Sequence, residues 1–329
     1  MTGPAGPVAA VRVALRRTLT EATLPADPLL LVACSGGADS LALAAATAFV
    51  APRAGMRAGL VTVDHGLQEG SARRAADVVA WASSEGFSPA AAVTVDITPH
   101  GEGPEAAARA ARYRGLADAA RDAGADAVLL GHTRDDQAET VLLALARGGG
   151  LRGIAGMPPA RSIDGVLFLR PLLEVARART RAACRALGLV PWEDPHNTDP
   201  AYTRSRVRTA LPLLADLLGD GVVANLARTA RLAAADLAVL DSMALSALED
   251  AATGDGGLRV EALAAMHPAI RGRVLRAYAL GLGTPPGALS ATHIEAMDAL
   301  ISGWHGQGPV ALPGGRRVAR AKGRIDVRE

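Results

Sequence analysis

The chain has 329 residues, half of them apolar, and a formal net charge of only +2. Because this length exceeds what a single hydrophobic core usually supports, we expect at least two domains. A net charge this small does not by itself point to a nucleic-acid partner. Two cysteines without a C-x-x-C pair or a Cys/His cluster argue against structural zinc and iron–sulfur sites. We expect no signal peptide and no membrane span, which favours a cytoplasmic protein without membrane contact.

The first two thirds of the chain alternate between strand-like and helix-like segments. Apolar runs predict five strands, at 29–33, 58–63, 91–97, 127–130 and 166–169. Helical character predicts five helices, at 40–50, 71–85, 104–123, 135–147 and 174–187. This alternation predicts an α/β fold, with a parallel sheet covered by helices on both faces.

The last third is predicted to form a small, mainly helical domain. Ala- and Leu-rich segments favour four helices, at 222–250, 260–266, 268–280 and 291–301. Alternation over 310–327 favours a basic hairpin that turns at Gly314 and Gly315. With the boundary placed near 211–221, the expected domains are residues 1–215 and 216–329.

The most informative segment is 29–43, LLLVACSGGADSLAL, in which a glycine turn joins a strand to a helix. Adjacent glycines tolerate positive φ and let the backbone approach an anion closely. Amides at a helix N-terminus favour negative charge. We therefore predict a phosphate site formed by Ser35, Gly36, Gly37, Ala38, Asp39 and Ser40. The turn has neither the lysine of a Walker loop nor the G-x-G-x-x-G spacing of a dinucleotide fold.

Two further polar segments follow predicted strands: Asp64-His65-Gly66, and residues 131–140, GHTRDDQAET. Because ligands of parallel sheets bind at the carboxyl ends of strands, we expect these segments and the glycine turn to form one site. Carboxylates beside phosphates suit Mg²⁺, which makes Asp39, Asp135 and Asp136 candidate metal ligands. Acids in a first helical turn are also explained by capping alone.

Taken together, these motifs resemble the tRNA(Ile)-lysidine synthases, a family of PP-loop ATP pyrophosphatases. The glycine turn matches the family's SGGxDS loop, residues 63–67 match VDHGL, and residues 131–140 match GHxxDDQxET. Further matches to the family lie at 105–113, 147–153, 170–173 and 193–208, and a weaker match lies at 312–315. Gln68 stands where an arginine is usual and His196 where a serine is usual. The chain is expected to be a short form without the further C-terminal domain of long members.

The resemblance implies a ligase that joins L-lysine to C2 of the wobble cytidine of an isoleucine tRNA with a CAU anticodon. The cytidine C2 oxygen would attack the α-phosphate of ATP and release pyrophosphate, and the lysine ε-amine would then displace AMP. The implied cofactors are ATP, as co-substrate, and Mg²⁺. A homodimer is compatible with this family.

The resemblance also implies roles for individual residues. The implied catalytic residues are Asp39, Arg109, Arg112, His132, Asp136 and Glu139, with Glu139 also assigned to the cationic lysine substrate. Asp64, His65 and Gly131 would join the residues of the glycine turn in binding ATP. The tRNA would contact Arg147, Arg152, Asn197, Arg204, Arg206 and Arg208. The last three arginines alternate, so they would share one face of an extended strand.

Three other functions stay open at this level. A tRNA thiolase generally needs a cysteine pair or cluster ligands, for which Cys34 and Cys184 are poorly placed. An amide-forming ligase, such as NAD or GMP synthetase, needs an ammonia source and leaves the Arg-rich segment 202–208 unexplained. A regulatory ATP-binding module would not need the acids Asp39, Asp135, Asp136 and Glu139.

Overall fold

The computed structural model describes residues 6–64, 66, 70–96, 104–194, 199 and 201–328, with the backbone alone at 104–106. The first part of the chain contains, in order, α1 (Gly6–Glu21), β1 (Leu29–Ala33), α2 (Ala38–Val50), a 3-10 turn (Pro52–Ala54), β2 (Arg57–Asp64), α3 (Ser71–Ser84), β3 (Ala90–Thr94), α4 (Pro104–Asp122), β4 (Ala127–Leu130), α5 (Arg134–Ala146), α6 (Gly150–Ile154), β5 (Ala160–Ile163), β6 (Val166–Leu169), α7 (Arg177–Ala186) and α8 (Thr203–Leu218).

The second part contains α9 (Val222–Ala251), β7 (Leu258–Arg259), α10 (Val260–Ala265), α11 (Pro268–Gly281), α12 (Ala291–Ser302), β8 (Val310–Ala311), β9 (Arg317–Ala321) and β10 (Arg324–Arg328). Two compact units divide at Ala234 and Ala235, inside α9. The division therefore falls later than the expected 211–221, because the first turns of α9 cluster with the larger unit.

A six-stranded sheet in the order β3-β2-β1-β4-β6-β5 forms the centre of the first unit. All neighbouring strands are parallel except β5, which runs antiparallel to β6 at the edge. The α/β class with a parallel sheet is thus confirmed. The sequence did not indicate β5, since this edge strand is largely exposed and lacks an apolar run.

The sheet buries apolar side chains on both faces, because successive residues of a strand point to opposite sides. Leu30 and Val32 of β1 pack with α1, α2 and α7 on one face. Leu31 of the same strand packs with α4 on the other, against Tyr113 and Phe168. The strands therefore read as near-continuous apolar runs, as is usual for parallel sheets.

The second unit combines its helices with a four-stranded antiparallel sheet in the order β7-β10-β9-β8. The predicted single hairpin over 310–327 is therefore incomplete. A second turn, with positive φ at Lys322 and Gly323, adds β10, which also pairs with β7. The sheet and α10–α12 share one core that includes Leu263, Met297 and Ile325.

Across the described residues, no single helix combines the length and apolar character needed to cross a bilayer. Helices α8 and α9 reach that length and apolar character only when taken together, and the chain bends by 102° between them.

Gly131, which follows β4, holds the sheet against the start of α2. A Cβ atom at this position would lie 3.0 Å from the Ser40 amide nitrogen and 3.1 Å from the Asp39 carbonyl carbon. Both neighbours are backbone atoms, which cannot rotate away. Only glycine therefore allows β4 to end this close to the glycine turn.

We expect Gly131→Ala to destabilise the protein by ~1–3 kcal/mol, because overpacking against backbone forces a shift of α2. The matched control is Gly272→Ala in α11, where the nearest atom to an added Cβ is 3.8 Å away. Since alanine favours helix, this control should be neutral or stabilising by up to ~1 kcal/mol. Urea denaturation of both variants is the measurement, and equal effects would contradict the steric explanation.

Candidate active site

The turn between β1 and α2 has the geometry of an anion cradle. Gly36 has φ 80°, and Gly37 is the extended residue before α2, with no side chain capping the helix. The Ser40 hydroxyl donates to the Gly37 carbonyl at 2.9 Å and accepts from the Ser35 amide at 3.2 Å. Side chains thus brace the turn from inside, while the amides at the start of α2 are left for a ligand.

A cavity of about 590 Å³ opens at the cradle, along the carboxyl ends of β1, β2 and β4. The structure brings residues from all three polar segments to its wall. The predicted site residues that line it are Ser35, Gly37, Ala38, Asp39, Ser40, Asp64, Arg112, Gly131, His132, Asp136, Arg204 and Arg208. A cavity of this size can hold a nucleotide-sized ligand.

Several predicted residues do not line this cavity. Asp135 accepts from the Arg177 amide at 2.8 Å and so caps α7, which makes it a structural acid and not a cavity carboxylate. The Arg109 guanidinium lies over the Tyr113 ring, 5.1 Å from its centroid. Arg147 and Arg152 are exposed near α6. His65 and Asn197 lie outside the described residues.

The prediction that 204–208 is an extended segment is wrong, since these residues belong to α8. In a helix, Arg204 and Arg208 lie one turn apart on one face, whereas Arg206 lies on another. Arg206 hydrogen-bonds locally, to the Ala201 carbonyl at 3.2 Å and the Thr203 hydroxyl at 3.1 Å. The three arginines therefore do not form one phosphate-binding row.

A network of carboxylates and guanidinium groups lies along one side of the cavity, although Glu139 is buried behind the wall and does not line it. Arg177 of α7 contacts Asp136 at 2.8 Å, Glu139 at 3.1 Å and Asp39 at 3.5 Å. From α8, Arg208 contacts Glu139 at 2.9 Å and Arg204 lies 3.7 Å from it. Three carboxylates thus face three guanidinium groups, and the network joins α2, α5, α7 and α8.

Glu139 is more enclosed than the sequence suggested. Its side chain has no exposed surface, and each of the three arginines contacts it. Glu139, which the resemblance assigns to the cationic lysine, is therefore already paired with arginines in this structure. A lysine ammonium can reach Glu139 only if at least one guanidinium moves away.

Burial and neighbouring charges set the protonation of the acids. Burial raises the pKa of Asp39 to about 6, against a smaller opposite effect of the Thr180 hydroxyl, which donates to it. Burial also disfavours the charged form of Asp136, yet Arg177 and the hydrogen bonds from Thr133 hold the pKa of Asp136 below its ordinary value. At neutral pH both groups are ionised, and Asp39 is the one that protonates in mild acid.

His132 is a neutral imidazole at the cavity wall. Burial lowers the pKa of His132 to about 3, with arginines adding to the effect and Asp136 opposing it. Its Nδ1 atom is buried and has no hydrogen-bond partner within the described part of the chain. Because a buried polar atom without a partner is costly, this nitrogen is available for a ligand.

Sequence reasoning missed Arg177 and Thr180, and it noted Trp192 only as one of three rings, with Tyr113 and Tyr202, on which a base could stack. Arg177 lies in an Arg-rich helix (Arg177, Arg179, Arg181 and Arg185), and nothing in its local pattern separates it from its neighbours. Trp192 lines the cavity and donates its amide to the Gly36 carbonyl at 3.0 Å. A signal was available for Trp192, because a tryptophan is unusual in a chain with 3% aromatic residues.

The two cysteines lie next to the cradle, where burial disfavours both thiolates. The Cys184 thiol donates to the Ala38 carbonyl at 3.3 Å, and burial raises the pKa of Cys184 to about 11. Burial likewise raises the pKa of Cys34. Since the thiolate is the nucleophile and the metal ligand, neither thiol suits a cysteine-dependent mechanism at neutral pH.

Comparisons with known proteins identify the class to which this fold belongs. Residues 11–214 match the family model of the PP-loop domain, and residues 258–325 match that of the TilS substrate binding domain. A solved structure of the U34-tRNA thiolase NcsA from Methanococcus maripaludis is 18% identical, covers 69% of this chain and 80% of its own, and has a TM-score of 0.57, which shows a shared fold alone. Fold and site thus define an ATP-using enzyme of the PP-loop class.

Full-length relatives identify the family within that class. The chain is 63% identical to tRNA(Ile)-lysidine synthase of Salinispora arenicola, over 99% of this chain and 98% of the relative. It is 55% identical to the enzyme of the same name from Thermobifida fusca, over 99% of both chains. The chain belongs to the tRNA(Ile)-lysidine synthase family and is a ligase.

We expect Asp39→Asn to stabilise the protein at pH 8 by on the order of 1–3 kcal/mol, while it abolishes ligase activity. The folded pKa of Asp39, about 6, lies above the unfolded value. Stability is therefore lost as the pH rises from the unfolded pKa of about 4 to the folded pKa of about 6. The full cost remains at pH 8, and amide substitution removes it. Thermal unfolding at pH 8 and pH 4 is the measurement. A gain that is equally large at pH 4, or a loss at pH 8, would contradict the assignment.

We expect Arg177→Ala to cost ~3–5 kcal/mol, because it leaves buried carboxylates without their shared partner. Arg179→Ala is the matched control, since Arg179 lies in the same helix as Arg177 and is exposed; its effect should stay within ~0.5 kcal/mol. Equilibrium urea denaturation compares the two variants. Similar losses for both would mean that the network does not stabilise the fold.

Proposed function

We propose that this protein forms lysidine at the wobble cytidine of the isoleucine tRNA that has a CAU anticodon. The cytidine C2 oxygen attacks the α-phosphate of ATP, pyrophosphate leaves, and the ε-amine of L-lysine displaces AMP from C2. The observation that carries the proposal is the identity to lysidine synthases over nearly the whole chain. A PP-loop alone would fit many ATP-dependent reactions.

In this proposal the cradle holds the pyrophosphate part of ATP. The amides of Gly37, Ala38 and Ser40 lie at the N-terminus of α2, where the helix dipole favours anionic oxygens. Arg112, from the cavity wall, supplies a cation for the charge that develops on the phosphates. Preorganised charges of this kind usually give the largest catalytic contribution.

The residues present also suit Mg²⁺. Asp39 lines the cavity beside the cradle, and its Oδ2 atom has a 3.5 Å ion pair with the Arg177 Nε atom. Within the described ranges, no cluster of three or more His, Cys, Asp or Glu residues could hold a metal. Mg²⁺ fits nevertheless, since it is often bound by one or two carboxylates together with substrate phosphates. Asp39 and Asp136 would hold it, and the ion would neutralise phosphate charge.

We assign His132 to the cytidine or the ATP phosphates as a neutral hydrogen-bonding group. A pKa of about 3 means that the imidazole carries no charge at neutral pH. It can therefore donate from one ring nitrogen and accept at the other. It does not act as a cation toward the phosphates.

We retain Glu139 as the carboxylate that binds L-lysine, although its arginine partners must first make room for the substrate. The lysine can pair with Glu139 only after Arg204 or Arg208 has turned away. The phosphates of a bound tRNA are anions that these partly exposed arginines can engage. Lysine binding would then follow tRNA binding. The homodimer and the tRNA contacts of Arg147, Arg152 and Asn197 stay predictions of the sequence.

A tRNA thiolase is the second candidate, since such an enzyme shares the fold. The buried cysteines with raised pKa values argue against it. The amide-forming ligase gains no support from the site.

The test is incubation with isoleucine tRNA, ATP and L-lysine, followed by mass analysis of the wobble nucleoside. We expect a mass gain that corresponds to lysine condensed on cytidine with loss of water, together with AMP and pyrophosphate. Asp39→Ala should reduce product by at least ~10³-fold, because it removes the carboxylate beside the cradle. Circular dichroism shows whether this variant folds. Product without lysine, or near-normal turnover of Asp39→Ala, would contradict the function or the site, respectively.

A further inference from the structure

The proposed reaction requires the cavity to hold two nucleobases at once, the adenine of ATP and the wobble cytosine. Two groups of apolar side chains line it. One group, on the α4 side of the sheet, consists of Val61, Val63, Leu116 and Leu130. The other, on the α3 side, consists of Val78, Pro191 and Trp192. The cavity therefore has two surfaces on which a flat base can rest.

Trp192 is built into the second surface at a fixed position. Its amide donates to the Gly36 carbonyl at 3.0 Å, which ties it to the cradle. The guanidinium carbon of Arg74, in the first turn of α3, lies 4.3 Å from the centre of the Trp192 ring. The indole is half-buried, and both residues line the cavity. A guanidinium group this close to an aromatic ring is attracted to it, so Arg74 helps to hold the indole in place.

Trp192 differs from the two other tryptophans. Trp81 packs against Phe87, with ring centroids 6.2 Å apart, and belongs to the core of the first unit. Trp304 lies in the second unit. Within the part of the chain that the structure describes, Trp192 is the single tryptophan on the cavity wall.

We propose that Trp192, supported by Arg74, is the platform on which the wobble cytosine stacks during adenylation. This inference rests on the proposed function. Extruded RNA bases commonly stack on aromatic rings and on arginine planes. Trp192 adjoins the cradle, so a base on it lies close to the phosphates that its C2 oxygen must reach. Adenine is separated from its α-phosphate by the ribose, which suits the surface formed by Val63, Leu116 and Leu130 at the strand ends.

The first test is fluorescence of a protein in which Trp192 is the only tryptophan, the double variant Trp81→Phe/Trp304→Phe. The probes are an RNA stem-loop with the CAU anticodon, the same RNA without a base at the wobble position, and a non-hydrolysable ATP analogue. We expect the complete RNA to quench Trp192 and the abasic RNA to bind without quenching it. Equal quenching by the abasic RNA, or full quenching by the ATP analogue alone, would overturn the proposal.

The second test is kinetic. Trp192→Ala should lower kcat/KM for tRNA by about tenfold, within the about 5- to 150-fold range of base–aromatic stacking, and Trp192→Phe should restore most of it. KM for ATP should change less than about twofold, since adenine lies on the other surface. A larger effect on ATP than on tRNA would contradict the proposal. Trp81→Phe, a conservative change in the core, is the control.

The two proposals fail differently. If the unaltered protein forms no lysidine, the proposed function fails, whatever the fluorescence shows. If it forms lysidine while Trp192→Ala keeps its kcat/KM for tRNA, the function stands and the stacking platform is wrong. Should Trp192→Ala not fold, the Trp192→Phe kinetics and the fluorescence experiment still decide.

Discussion

The buried pairing of Asp39, Asp136 and Glu139 with arginines is the interaction on which the rest of the site depends. A carboxylate taken out of water costs several kcal/mol unless a charged, well-oriented partner meets it. Arg177 meets all three acids, at 2.8 to 3.5 Å. The acids stand on α2 and α5 and the guanidinium groups on α7 and α8, so one network sets the mutual position of four helices. Loss of Arg177 would leave these buried acids without their shared partner.

In the proposed reaction, the same network would make lysine binding depend on tRNA binding. With three carboxylates facing three guanidinium groups, a cationic substrate finds no net charge to attract it. An anion that draws Arg204 or Arg208 away would uncover negative charge at Glu139, a change that needs only side-chain rotation of two partly exposed residues. Electrostatics thus gives a physical reason for the order in which a tRNA and an amino acid would enter.

The scaffold explains why such a site is found at this edge of the sheet. Parallel strands end together, and the loops that follow them converge on one cavity. Gly131 allows β4 to end against the start of α2, and this contact brings His132 and Asp136 beside the cradle. The thiolase shares this scaffold at 18% identity, so the fold by itself does not fix the chemistry.

The sequence by itself determined the α/β class, the phosphate turn and the family. These features rest on local signals: apolar runs that must be buried as strands, adjacent glycines that permit positive φ, and contiguous motifs. The boundaries of the predicted helices were also close, since periodicity is local, whereas α1, α6 and α8 were not predicted. The edge strand β5 and the turn at Lys322 and Gly323 escaped prediction, because neither has a strong apolar pattern.

Only the tertiary structure decided which charges meet. Arg177 and Glu139 are 38 residues apart, and Arg208 and Glu139 are 69 apart. In a chain with 35 basic residues, no local pattern distinguishes the arginines that pair inside the site from those that face solvent. Because α8 is helical, Arg204 and Arg208 share one face and Arg206 lies on another. The fold also directs Asp135 to the start of α7, while Asp136 lines the cavity. Ion pairing depends on distance in space, which the chain acquires only when it folds.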